Sequence, residues 1–235
     1  MFSLFGLWFD WTTIISTTVT FVIVLALGIF LSRNLKVRPT KKQNFLEWII
    51  DFTNGVVKDQ IAQGGQNFRF YVFVLFLFVF VSNQIGLAFQ FSNSAGTIQI
   101  KSITAEPLVT LTLALISLMI AHFAGVEKFG LKGYIKNTYL SPFPGMLPLN
   151  LLEQITSFLT LGLRLYGNIF AGEILLNLIA NMVMPNNLPG TPLGIIAGIF
   201  LELVWQAFSI FIGSIQAYIF ATMTSVYINE KINVD

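Results

Sequence analysis

Long apolar runs separated by short polar stretches set the plan of this chain. Five runs stand out, at about residues 11–31, 70–91, 104–124, 149–184 and 193–228. A helix needs about 20 apolar residues to cross the ~30 Å hydrocarbon core of a bilayer, so the first three have the length of single spans. The last two, about 35 residues each, would be roughly 50 Å long as helices. Such helices must tilt steeply or bend to stay in the bilayer. A sixth pattern lies at 45–61, where Phe45, Trp48, Ile49, Phe52 and Val56 recur near helical spacing among polar residues. It predicts an amphipathic helix lying at the membrane interface.

The expected fold is therefore all-α and integral to the membrane, one polytopic domain over residues 1–235. It has five membrane helices, the last two long and steeply tilted, plus an interfacial helix on the cytoplasmic side. The loop around Pro142, Pro144 and Pro148 is a stiff lead-in to the fourth helix, with Asn150 as its expected N-cap. Three more prolines break the chain between the last two helices, over 184–192. No internal repeat is visible.

Composition sharpens this picture. The chain is 55% hydrophobic and 10% charged, against about 25% charged in soluble domains. A net charge of +2 is too small to point to nucleic acid. There is no cysteine and a single histidine, His122, which excludes disulfide frameworks and thiolate or His-rich metal sites. No phosphate loop, nucleophile triad or metal-ligand spacing occurs, so no cofactor is expected. The first ten residues lack Lys and Arg, unlike a cleaved signal peptide, so the first run reads as a retained span.

Basic residues cluster in the first connection (Arg33, Lys36, Arg38, Lys41, Lys42) and the third (Lys128, Lys132, Lys136), with Lys231 at the C-terminus. The positive-inside rule then puts the odd connections and the C-terminus in the cytoplasm and the N-terminus outside.

Charges inside spans are costly and mark function by default. Glu153 lies near the cytoplasmic start of the fourth run. Arg164, eleven residues further on among Leu161, Leu163, Leu165 and Ile169, is too deep for an interfacial explanation. Arginine keeps its proton in proteins, so a fixed positive charge sits in a poor solvent. Thr160, Arg164, Gly167, Asn168 and Ala171 share one helical face, and small residues let another helix come close. The alternative is a structural ion pair with a glutamate elsewhere in the chain.

In the fifth run Glu202, Gln206, Ser209, Gly213 and Gln216 follow steps of 4, 3, 4 and 3. This stripe is either a wet path or a set of helix–helix hydrogen bonds. Glu173 and Glu202 fall at similar depth toward the outside, where buried acids suit proton uptake. Asn83 and Gln84 read as interfacial, as does His122. Glu106 precedes Pro107 at the start of the third run and is a candidate for the outer inlet.

Residues 161–173 read LGLRLYGNIFAGE. This resembles the signature of the a subunit of F-type ATP synthases, the stator beside the rotating c-ring. PFPGMLPLNLLEQITSF, NQIGL and SIQAYIFATMTSVYI extend the resemblance over nearly the whole chain. It implies a non-catalytic proton-translocating subunit of the plasma membrane. Its implied partners are the c-ring, the b subunits of the peripheral stalk and membrane lipid. It also implies two aqueous half-channels that do not meet. Arg164 would attract the deprotonated c-ring carboxylate and block leakage. Asn168 and Gln216 would support it, Glu173 would line a channel, and Glu153 would lie near the cytoplasmic exit. Ser209 stands where some members carry an ionisable group, and Glu202 is the candidate to replace it. Glu106–Pro107 stands where others have an aspartate and an asparagine. Two other readings compete: a self-contained secondary transporter, which usually shows internal repeats, and a purely structural anchor, which leaves Arg164 unexplained.

Overall fold

Six α-helices among the described residues carry the fold. A computed structural model describes residues 2–4, 7–9, 11–33, 36, 41–61, 64–88, 102–141, 143–183 and 192–233. The helices are α1 (Trp11–Ser32), α2 (Lys41–Gln60), α3 (Arg69–Ala88), α4 (Pro107–Tyr139), α5 (Leu147–Val183) and α6 (Pro192–Ile232). Five of them, all but α2, are long and apolar enough to cross a membrane. Ahead of α1, Phe2–Leu4 (β1) and Leu7–Phe9 (β2) pair antiparallel with Phe2 opposite Phe9, a small hairpin that the apolar pattern does not announce. The proline-rich turn at 184–191 and most of the second connection lie outside the described residues.

Helix α2 presents three faces. Leu46, Thr53 and Val57 are buried against the bundle, and Glu47, Asp51 and Lys58 are exposed. Phe45, Trp48 and Phe52 form an exposed stacked row, with ring centroids 6.4 and 6.2 Å apart. One protein-facing, one polar and one aromatic face fit a helix lying in the interface.

Helix α4 departs most from the sequence reading. Glu106 is its N-cap and Pro107 its first residue, where a missing N–H costs nothing. Ile103–Ala105 is a short 3-10 turn before it, so the span starts later than residue 104. The helix also runs on past 124 to Tyr139, with a break at Gly130 (φ 70°, ψ 162°), a conformation essentially reserved for glycine. The chain folds back there. A Cβ at Gly125 would stand 2.6 Å from the Tyr134 ring, although nine residues of straight helix span about 13 Å. Tyr139 Oη likewise lies 3.3 Å from His122 Nε2.

Helix α5 begins at Leu147, straight after the 3-10 turn Pro144–Met146, because Pro144 and Pro148 preset φ and need no donor in a first turn. Asn150 is therefore not the N-cap. Its Nδ2 donates to Tyr139 O (3.1 Å) and Ser141 O (3.2 Å), satisfying carbonyls at the end of α4.

Two apolar clusters hold the bundle. One joins Leu75 and Val79 of α3, Ala114 of α4, Leu161, Leu165 and Ile169 of α5, and Ala217 and Phe220 of α6. The other joins Val57 and Ile61 at the end of α2 with Val72, Ala121, Ala124, Ala221, Ile228 and Ile232. Alanines at the crossings let backbones approach. Gly162 does the same against α4, since a Cβ there would lie 2.7 Å from Leu111 Cδ2.

Candidate functional site

Arg164 is the eighteenth of the 37 residues of α5, at mid-helix. The inward face of α5 is the apolar row Leu161, Leu165 and Ile169, each buried. A helix that buries those positions turns Thr160, Arg164, Asn168 and Ala171 outward, and all four are exposed. Gly167, between them, has nothing within 4 Å of where a Cβ would stand. No hydrogen bond or ion pair joins Arg164 to another described residue. The intramolecular ion pair weighed in the sequence is thus not formed among the described residues, and the cation sits on an exposed face of small residues.

The α6 stripe grades from exposed to buried along the chain. Glu202 is exposed, Gln206 is half-buried, and Ser209, Gly213 and Gln216 are buried. Ser209 Oγ is buried without a hydrogen-bond partner among the described residues. Trp205 Nε1 donates to Gly172 O at 3.3 Å and pins α6 to α5. Counting eight residues along each helix from that contact brings Arg164 and Gly213 to comparable depth.

Glu173 is 6% exposed and belongs to a polar chain that crosses three helices. The Ser102 backbone N–H donates to Glu173 Oε1 (3.0 Å). Ser102 Oγ lies 2.9 Å from Thr104 Oγ1. Thr104 Oγ1 donates to Asn83 Oδ1 (2.8 Å), and Asn83 Nδ2 donates to Gly213 O (2.9 Å). Beside it Gln84 Nε2 donates to Ile210 O (3.2 Å) and Ser214 Oγ (3.1 Å). The chain runs from an acid on α5, through the turn before α4 and the end of α3, to the polar stripe of α6. Gly86 makes room for it, since a Cβ there would overlap the Ser102 side chain.

Several expectations change here. Asn83, read as interfacial, is fully buried (0% exposed) and is the centre of this network. Ser102 and Thr104 were not singled out at all. The available signal was an amide inside an apolar run, because a buried amide must find partners. Of the two acids expected at similar depth, Glu173 turns inward to Ser102 and Glu202 is exposed. Glu106 is half-buried at the N-terminus of α4, two residues from Thr104.

At the other end, Glu153 is exposed and lines a polar cavity of about 180 Å³ with Asn137, Thr138, Asn150, Glu230 and Lys231. His122 lies beside it. Its Nδ1 is 2.8 Å from Leu118 O, which makes Nδ1 the protonated nitrogen and leaves Nε2 to accept from Tyr139 Oη.

Comparison with known proteins bears on this arrangement. The family model described as ATP synthase A chain matches residues 14–229. A protein named ATP synthase subunit a from Limosilactobacillus fermentum is 50% identical over 98% of this chain and 96% of its own length. One of the same name from Enterococcus hirae is 51% identical over 97% of this chain and 94% of its own. One from Listeria monocytogenes is 45% identical over 98% and 95%.

Proposed function

The chain belongs to the ATP synthase A chain family, a multi-pass membrane component of a proton-translocating complex, and on that premise we propose that it is the stator against which a ring of c subunits turns. It makes no ATP itself. It carries protons to and from ring carboxylates through two separate half-channels, and the b subunits of the peripheral stalk hold it still. The basic connections put the N-terminus outside the plasma membrane and the C-terminus in the cytoplasm. Steep tilt of α5 and α6 accommodates their 37 and 41 residues.

The observation that carries this reading is Arg164: exposed at mid-helix, without a described partner, on a face of small residues. A permanent cation there needs an anion from another chain. Two unit charges about 4 Å apart at an effective dielectric of about 20 attract by roughly 4 kcal/mol. That is comparable with about 2.3 kcal/mol per charge per 100 mV of membrane potential. The attraction holds a ring carboxylate ionised as it passes and yields to the next protonation. The same charge repels a proton attempting to cross directly between half-channels. Asn168, one turn away on the same face, and Gln216 on α6 assist in placing the pair.

The chain from Glu173 through Ser102, Thr104 and Asn83 to Gly213, with Ser209 and Gln216 beyond, supports an outer half-channel along the α5–α6 seam. Glu106 and Glu202 flank its inlet. Glu153 and its cavity support the cytoplasmic exit. Arg164→Ala in the assembled complex tests the reading: ATP-driven pumping into membrane vesicles is expected to vanish while subunit stoichiometry is kept. Normal pumping would refute it.

A further inference from the structure

The last turn of α6, at the end of its apolar span, is held firmly in place. Ile228 and Ile232 are buried in the core. Lys128 Nζ donates to Asn233 Oδ1 at 3.1 Å. A Cβ at Gly125 would lie 2.9 Å from Lys231 O, so α4 and α6 nearly touch there. This anchoring keeps Lys231 only 5% exposed, lining the same polar cavity as Glu153 and its chain neighbour Glu230. Both acids lie within electrostatic reach of its ammonium. A lysine this buried is unusual unless it answers charge.

We propose that Lys231 is a positioning residue for proton release to the cytoplasm, setting the charge of Glu153 and Glu230 in a shared exit cavity. The inference rests on the stator reading above. A proton coming off the ring binds the Glu153 carboxylate and forms its O–H. It then leaves to cavity water, and the carboxylate is regenerated. The Lys231 ammonium attracts the Glu153 carboxylate left behind, which assists release of the proton to cavity water. Glu230 acts with the opposite sign on Glu153. The other titratable groups facing Lys231 come from α4: His122, within its electrostatic reach, and Tyr134 and Tyr139 packed beside that ring. Helix α2 contributes apolar Val57 and Ile61 to the same end of the bundle.

The test uses the whole complex in proteoliposomes, with ATP synthesis driven by an imposed gradient and followed against pH on the cytoplasmic side. Lys231→Gln removes the cation and is expected to move the rate profile up by about half a pH unit or more. Glu230→Gln removes an anion and is expected to move it down. Lys231→Arg restores the parental profile. A purely structural role would not give shifts of opposite sign. Parental profiles in both glutamine variants, or shifts in the same direction, would overturn the inference. So would loss of the Lys231→Gln shift when His122→Gln is added, because the titrating group would then be the histidine. If Lys231→Gln blocks assembly, the sign of the Glu230→Gln shift decides. Arg164→Ala run alongside separates the two levels. If it still pumps, the stator reading fails. If it is inactive while the Lys231 and Glu230 profiles stay parental, only the exit inference fails.

Discussion

The Glu173 carboxylate accepts a hydrogen bond from the Ser102 backbone N–H at 3.0 Å, although the two residues stand 71 apart in sequence. Glutamine keeps an acceptor oxygen for that N–H but cannot carry a proton. Glu173→Gln is therefore expected to leave assembly intact and slow proton uptake from outside by roughly tenfold or more. Acid-pulse proton flux in reconstituted complexes measures it. Glu202→Gln, at an exposed position, is expected to slow uptake less. Unchanged flux in both single variants and the double would remove these residues from the path.

Asn83 bonds both Thr104 and Gly213. Asn83→Leu strands the Gly213 carbonyl and the Thr104 hydroxyl. About 1–3 kcal/mol of stability should be lost, seen as a lower midpoint of thermal inactivation. An unchanged midpoint would mean that the network is not closed as described.

Asn168 is exposed on the face of Arg164, whereas Leu165 is buried. A cysteine at 168 is expected to crosslink to a cysteine in the outer helix of a c subunit, and one at 165 is not. Absence of any 168 crosslink would refute a ring on this face.

Gly130 holds φ 70° and ψ 162°. Gly130→Val should cost about 1–3 kcal/mol in backbone strain. It should also loosen the pairing of His122 with Tyr139, increasing protease sensitivity after residue 130. Resistance equal to the parent would show the turn to be indifferent to the side chain.

Gly162 is packed on Leu111 with no room for a side chain. Gly162→Leu forces α4 and α5 apart and should cost about 1–3 kcal/mol, lowering the yield of assembled complex. Gly28→Ala on α1, with open space around it, should leave the yield unchanged.

The sequence carried the helices well and their junctions poorly. Length and apolarity alone locate α1, α3, α5 and α6, because lipid demands about 20 uninterrupted apolar residues. They fail at α4, whose second half is charged enough to read as a loop while Gly130 bends it back onto the first. Arg164 was legible because a fixed charge in an apolar run has few explanations. Its outward direction agrees with the small-residue face of Thr160, Gly167, Asn168 and Ala171, while Leu161, Leu165 and Ile169 are buried about 100° away around the helix. Asn83 was misread because burial of an amide at a span end depends on partners from residues 102–104 and 213, which no local pattern reveals. The shared depth of Glu173 and Glu202 fits the pinning of α5 to α6 by Trp205, but their separation onto different faces needed the packing of the turn before α4.

The row Thr160, Gly167, Asn168 and Ala171 has little relief: no long side chain rises from it except the guanidinium of Arg164. Interlocking ridges give a neighbouring helix one preferred seat and a barrier to leaving it. A shallow surface gives many seats of nearly equal energy. Under the proposed stator reading, such a track would impose little friction on a ring sliding across it, and its one raised charge would mark where each passing carboxylate pauses.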